Sequence, residues 1–141
     1  MRRPVLACGE SSAMSYENYK VLHIFAALLL FCALGGLAML AWQTRGASAV
    51  KDETVQSRKR LSMIHGVALL ILFVAGFGLM AKMGLMAGAW PTWIYAKLGL
   101  WLLLGASAVL VRRMPGQGRI WIWGLPLLGA IAGYLAVHKP M

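Results

Sequence analysis

Residues 19–42 read YKVLHIFAALLLFCALGGLAMLAW, and this stretch decides the kind of fold the chain adopts. After Lys20 it holds no Asp, Glu, Lys or Arg. As an α-helix rising about 1.5 Å per residue it is longer than the hydrocarbon core of a bilayer, about 30 Å. A helix lying on a soluble core carries a polar stripe, whereas this one is apolar on every side. Three more stretches of similar character follow, at 61–81, 92–111 and 120–137. In hydrocarbon each backbone N–H and C=O must be paired within the spanning element, which helices do. The expected fold is all-α, an integral membrane antiparallel four-helix bundle. Composition agrees: 13% of residues are charged, against about 25% in soluble domains.

The connections set the topology. TRGASAVKDETVQSRKR (44–60) and RRMPGQGR (112–119) are polar and basic, and Pro115 and Gly116 break the second. KMGLMAGAW (82–90) is short and glycine-rich and reads as a tight turn at the opposite interface, with Pro91 fitting the first turn of the third helix. The two basic connections hold Arg45, Lys51, Arg58, Lys59, Arg60, Arg112, Arg113 and Arg119. The other side holds Arg2, Arg3, Lys20, Lys82, Lys97 and Lys139. The excess marks the inner side, so both termini are expected outside, on the periplasmic side of a bacterial inner membrane. Aromatic residues agree, with Tyr16, Tyr19, Trp90, Trp93, Tyr95 and Tyr134 toward one interface and Trp42, Trp121 and Trp123 toward the other.

Residues 1–18 form a polar N-terminal extension, and Met14 opens MSYENYK, a natural lead into the first helix and a candidate start of translation. The first apolar run is too long for a signal-peptide core and is separated from Ala47-Ser48-Ala49 by Trp42-Gln43-Thr44-Arg45, so a retained helix is expected. Cys8 has no apolar stretch before it to make a lipoprotein signal. Cys32 reads as a small packing residue. Gly35-Gly36, Gly76 with Gly78, and Gly129 with Gly133 at GxxxG spacing permit close helix packing, within one bundle or across a homodimer. Pro126 is expected to kink the fourth helix or free the Ile122 carbonyl.

Several classes of function drop out. The net charge of +10 is spread between apolar runs instead of gathered on one wet face, which argues against nucleic acid and for anionic headgroups. All four acids, Glu10, Glu17, Asp52 and Glu53, lie outside the apolar runs, so a hydrolase built on paired carboxylates has no residues in the membrane. HExxH, CxxCH, a phosphate loop and a nucleophile elbow are all missing. The spans lack the polar rows of a channel or transporter, and Met80, Met83 and Met86 read as packing residues more readily than as soft-metal ligands.

Ionisable groups inside spans are costly and point to function. His23 lies one turn into the first helix with Lys20 on the same face. Lys97 lies about 8 Å into the third span, and His138 ends the fourth; all three fall in the outer half. His65 sits about four residues into the second span, near the inner boundary. Each also has a purely structural role open to it: Lys97 beside Trp93 and Tyr95 snorkels to headgroups, His138 is solvated at the interface, His65 bonds a backbone carbonyl, and His23 is hydrogen-bonded in the packing. If functional, the set points to haem ligation, or to proton and electron exchange near a quinone, with His23 the iron ligand and Lys97 the cofactor-binding partner. His65, His138 and Lys20 are weaker candidates, and a His23–His65 ligand pair is disfavoured by their depths.

Tyr19-Lys20-Val21-Leu22-His23, Lys59-Arg60-Leu61, Trp93-Ile94-Tyr95-Ala96-Lys97-Leu98 and Ala136-Val137-His138-Lys139-Pro140 open or close the spans. In these motifs the chain resembles SirB-type small bacterial inner-membrane proteins and, more distantly, HemJ-type protoporphyrinogen oxidases. The latter resemblance implies bound haem b, with His23 and Lys97 matching the histidine and lysine of that pattern. The chain departs from it at Leu37-Ala38-Met39-Leu40-Ala41-Trp42, where that family has an arginine, aromatic and histidine cluster. Two roles follow as expectations: a haem b- or porphyrin-associated redox protein, or a non-catalytic accessory or assembly protein packed against a larger membrane complex.

Overall fold

Four helices account for nearly all of residues 14–138, the part of the chain that the computed structural model describes. They are α1 (Tyr16–Gln43), α2 (Asp52–Lys82), α3 (Thr92–Arg113) and α4 (Gly118–His138), with a 3₁₀ turn at Pro115–Gln117 leading into α4. All four are long and apolar enough to cross a membrane. Cys8, Glu10, Arg2, Arg3, Lys139 and Pro140, together with most of the N-terminal extension, lie outside the described residues.

Local chemistry sets the boundaries. The Ser15 hydroxyl accepts from the Asn18 N–H at 3.3 Å and caps α1. At the end of α2, Gly84 takes φ +70°, its N–H bonds the Ala81 carbonyl, and the Leu85 N–H bonds Met80. This is a Schellman stop, and Leu85 packs with Met80 as such stops favour. The tight turn expected at 82–90 is therefore present.

α2 is longer than its apolar run. The sequence predicts an irregular first connection as far as Arg60, yet residues 52–60 are helical. No glycine or proline interrupts them, and Asp52 and Glu53 sit in the first turn, where the helix dipole favours acids. Thirty-one residues rise about 46 Å, so α2 extends past the thickness of a hydrocarbon core.

Helix α1 is the hub. Its buried residues Ala26, Leu30, Ala33, Leu34, Leu37, Ala38 and Ala41 follow three- and four-residue spacing, and Leu30, Leu34, Leu37, Ala38 and Ala41 pack with Ala68, Leu104, Ala108, Val111 and Leu125. Contacts give the register. Gly36 meets Leu61 and Gly78 lies against the Tyr19 ring, so α2 runs antiparallel to α1. Trp101 Nε1 donates to the Leu69 carbonyl at 3.0 Å, pinning α3 to α2. Gly118 and Gly129 face Trp42 and Phe31, so α4 also runs antiparallel to α1 and the start of α1 lies at the same end as His138.

Helix α4 is the outermost element, with only Gly118 and Leu125 buried; Ile120, Trp123, Leu127 and Val137 present apolar surface suited to lipid. Pro126 lies inside α4, which continues through it. Cys32, expected to pack, is exposed: α1 is apolar all round, so its sequence carries no sign of which face turns inward.

Gly118 sets the approach of α4 to α1. A Cβ there would lie 2.9 Å from both the Ala38 carbonyl oxygen and the Trp42 Cβ, whereas at Gly133 nothing lies within 4 Å. Gly118→Ala should therefore destabilise the bundle by about 1–3 kcal/mol, while Gly133→Ala leaves it unchanged. Thermal unfolding of the two variants in detergent checks this; equal midpoints would contradict the packing.

Candidate functional site

The end of the bundle that holds the α2–α3 connection is built on two glycines. Gly76 and Gly78 leave a shallow track on α2, and the Tyr19 and His23 rings, one turn apart on α1, lie in it. A Cβ on Gly76 would stand 3.4 Å from His23 Cε1 and 3.6 Å from Nδ1, so Gly76 lies directly beside the imidazole. His23 Nδ1 lies 3.1 Å from the Leu72 carbonyl oxygen. A carbonyl only accepts, so Nδ1 carries the proton and, in the neutral ring, Nε2 presents its lone pair. Nε2 makes no hydrogen bond among the described residues and is not sealed in the interior.

Lys97 reaches the same region from α3. Its ammonium lies close enough to act electrostatically on His23 and 4.8 Å from the centroid of the Trp93 ring, a cation–π distance. Trp93 is itself buried with Met80 and Ile94. Beyond it, the rings of Trp101, Phe73, Phe77, Trp90 and Tyr95 form a continuous series of contacts with centroids 4.6–6.0 Å apart, tying α2 to α3. The structure thus places the Lys97 ammonium within electrostatic range of His23.

The weaker candidates separate from this pair. Lys20 is exposed. His138 bonds the Tyr134 carbonyl at 3.3 Å and stacks on the Tyr134 ring with centroids 4.1 Å apart. Both partners belong to its own helix.

His65 is not near the end of the bundle. It faces the carbonyls of Leu30 and Leu104, midway along α1 and α3, and is only 4% exposed. The extra helical turns at the start of α2 account for the difference in depth. Level with Leu30, it stands seven residues from His23 along α1, about 10 Å of rise. The two imidazoles are therefore too far apart to ligate one iron. Neither His65 nitrogen reaches a carbonyl with hydrogen-bond geometry, so the imidazole is buried at a cost. His65→Leu, close in volume and without those polar atoms, should hold or raise the unfolding midpoint. A fall equivalent to about 2 kcal/mol or more would show that the imidazole has a partner.

Sequence reasoning missed Trp101, whose indole joins α2 to α3 and whose position inside an apolar run gave no interfacial signal. Arg58 reads from sequence as a loop charge. It is helical, and its guanidinium donates to the Leu40 carbonyl at 3.3 Å and to the Thr44 hydroxyl, closing the end of α1.

No curated protein and no solved structure matches the chain. One family does match, over residues 18–120, which take in most of α1, all of α2 and α3, and the first turn of α4. The likeness to SirB-type proteins holds at the coarser level of a small multi-pass membrane protein. By this match the chain belongs to the DUF2269 family, described as predicted integral membrane proteins.

Proposed function

We propose that this multi-pass membrane protein holds a haem b or porphyrin at His23 and takes part in redox chemistry at that end of the bundle. The observation that carries the reading is the His23 geometry. Nδ1–H directed at the Leu72 carbonyl fixes the ring and leaves Nε2 as the available donor, the arrangement by which proteins orient ligating histidines. The Lys97 ammonium beside it is suited to a propionate or another carboxylate of the same ligand.

The donor set fits such a group in kind. Bound haem would supply one-electron exchange, with its potential tuned by the axial nitrogen and its surroundings. The chain's own part is to orient Nε2 through Leu72, to hold the cation near it through the Trp93 face, and to exclude water with the aromatic contacts between α2 and α3. Both ends of the chain are outward in this reading, as the surplus of Lys and Arg in the α1–α2 and α3–α4 connections favours.

A second reading, a non-catalytic accessory or assembly protein, draws on α4. That helix leaves most of its apolar surface outside the bundle, including Trp123 at 75% exposed, and a larger membrane complex could take up that surface.

A reduced-minus-oxidised visible spectrum of the protein purified from membranes separates the two. The haem reading expects b-type bands that His23→Ala abolishes and His65→Leu leaves intact. Absence of bands in protein purified from haem-replete cells, or their loss only with His65, would overturn the assignment.

A further inference from the structure

The opposite end of the bundle, where the α1–α2 and α3–α4 connections lie, carries a feature that the His23 site does not use. A cavity of about 200 Å³ adjoins a wider groove of about 670 Å³, and the two share Arg58 and Arg112. The smaller one has an apolar floor that includes Ala41 and Val111. Lys59 and Ser62 line the groove, which also has an apolar flank formed by Val55 and Met63 on α2.

Three cations therefore converge where two spanning helices emerge from their apolar runs. Among the described residues no carboxylate pairs with them; Asp52 and Glu53 are exposed on the first turn of α2. Arg58 is already held by the Leu40 carbonyl and the Thr44 hydroxyl through one nitrogen, which fixes the guanidinium and leaves its other N–H groups for a ligand, at a reduced ordering cost. Ser62 Oγ is buried without a hydrogen-bond partner. Ser62 thus adds a hydroxyl donor to the wall that carries the three cations.

We infer that this groove is a binding site for the head group of an anionic phospholipid. Arg112, Lys59 and the unengaged edge of Arg58 hold the phosphate, and the acyl chains run along Val55 and Met63. The mixture of charge and apolar wall favours a lipid over a free anion, because inorganic phosphate would leave the apolar half uncovered. Basic pockets between spanning helices are suited to such head groups.

The test is thermal unfolding of the full chain in neutral detergent, titrated separately with phosphatidylglycerol, phosphatidylcholine and inorganic phosphate. Phosphatidylglycerol should raise the midpoint saturably, and the other two should not. Each groove cation removed should weaken the apparent affinity about fivefold, so Lys59→Gln with Arg112→Gln together should weaken it about 25-fold. Arg60→Gln, on an exposed part of the same helix, and Lys82→Gln, at the other end of α2, should change it by less than about twofold. Arg58 is left intact because its loss would also remove its bonds to Leu40 and Thr44 at the end of α1. Equal binding of phosphatidylcholine, displacement by inorganic phosphate, or an Arg60→Gln effect as large as that of Arg112→Gln would each overturn the site.

Discussion

Close approach of backbones along α1 is the constraint on which the rest of this molecule depends. Lipid tails are as apolar as leucine, so burial of apolar surface gives little drive for helices to associate in a bilayer; packing density and a few interhelical hydrogen bonds must do it. The buried face of α1 is accordingly alanine and leucine, and its neighbours bring glycines where they touch it: Gly76 and Gly78 from α2, Gly118 and Gly129 from α4. The polar contacts fall at the same joints. His23 to Leu72, Arg58 to Leu40 and Thr44, and Trp101 to Leu69 each tie one helix to the next through a carbonyl or hydroxyl.

This arrangement also separates the two ends chemically. One end has aromatic rings, a fixed imidazole and an ammonium stacked on indole. The other has guanidinium and ammonium groups around a groove. Between them lies His65, a buried imidazole at mid-height with no hydrogen bond of good geometry. The contrast follows from chain order: an antiparallel bundle puts the N-terminal half of α1 and the N-terminal half of α3 together, and those halves carry His23 and Lys97.

How much of this the sequence discloses depends on which physical signal each feature leaves. Four spans are legible because a run of about twenty apolar residues suits little besides a bilayer crossing. The common depth of His23 and Lys97 follows from counting residues, but their approach within electrostatic range does not. α1 is apolar on all sides, so its sequence shows no face, and the exposure of Cys32 is hidden for the same reason. The depth of His65 is not legible because the apolar run begins at Leu61 while the helix begins at Asp52, and the charged turns between them leave no apolar signal. Arg58 is hidden in that same segment, where a basic residue looks like any loop charge until α1 and α2 are docked.

Tyr19 and Trp90 lie at one end of the bundle and Gly116 at the other, and this placement is open to direct measurement. Single cysteines at these positions, introduced after Cys8→Ser and Cys32→Ser, can be probed with a membrane-impermeant thiol reagent in intact spheroplasts. Tyr19→Cys and Trp90→Cys should label from outside, and Gly116→Cys only after lysis. Labelling of Tyr19→Cys and Trp90→Cys from opposite sides would contradict the bundle and remove the common site of His23 and Lys97 with it.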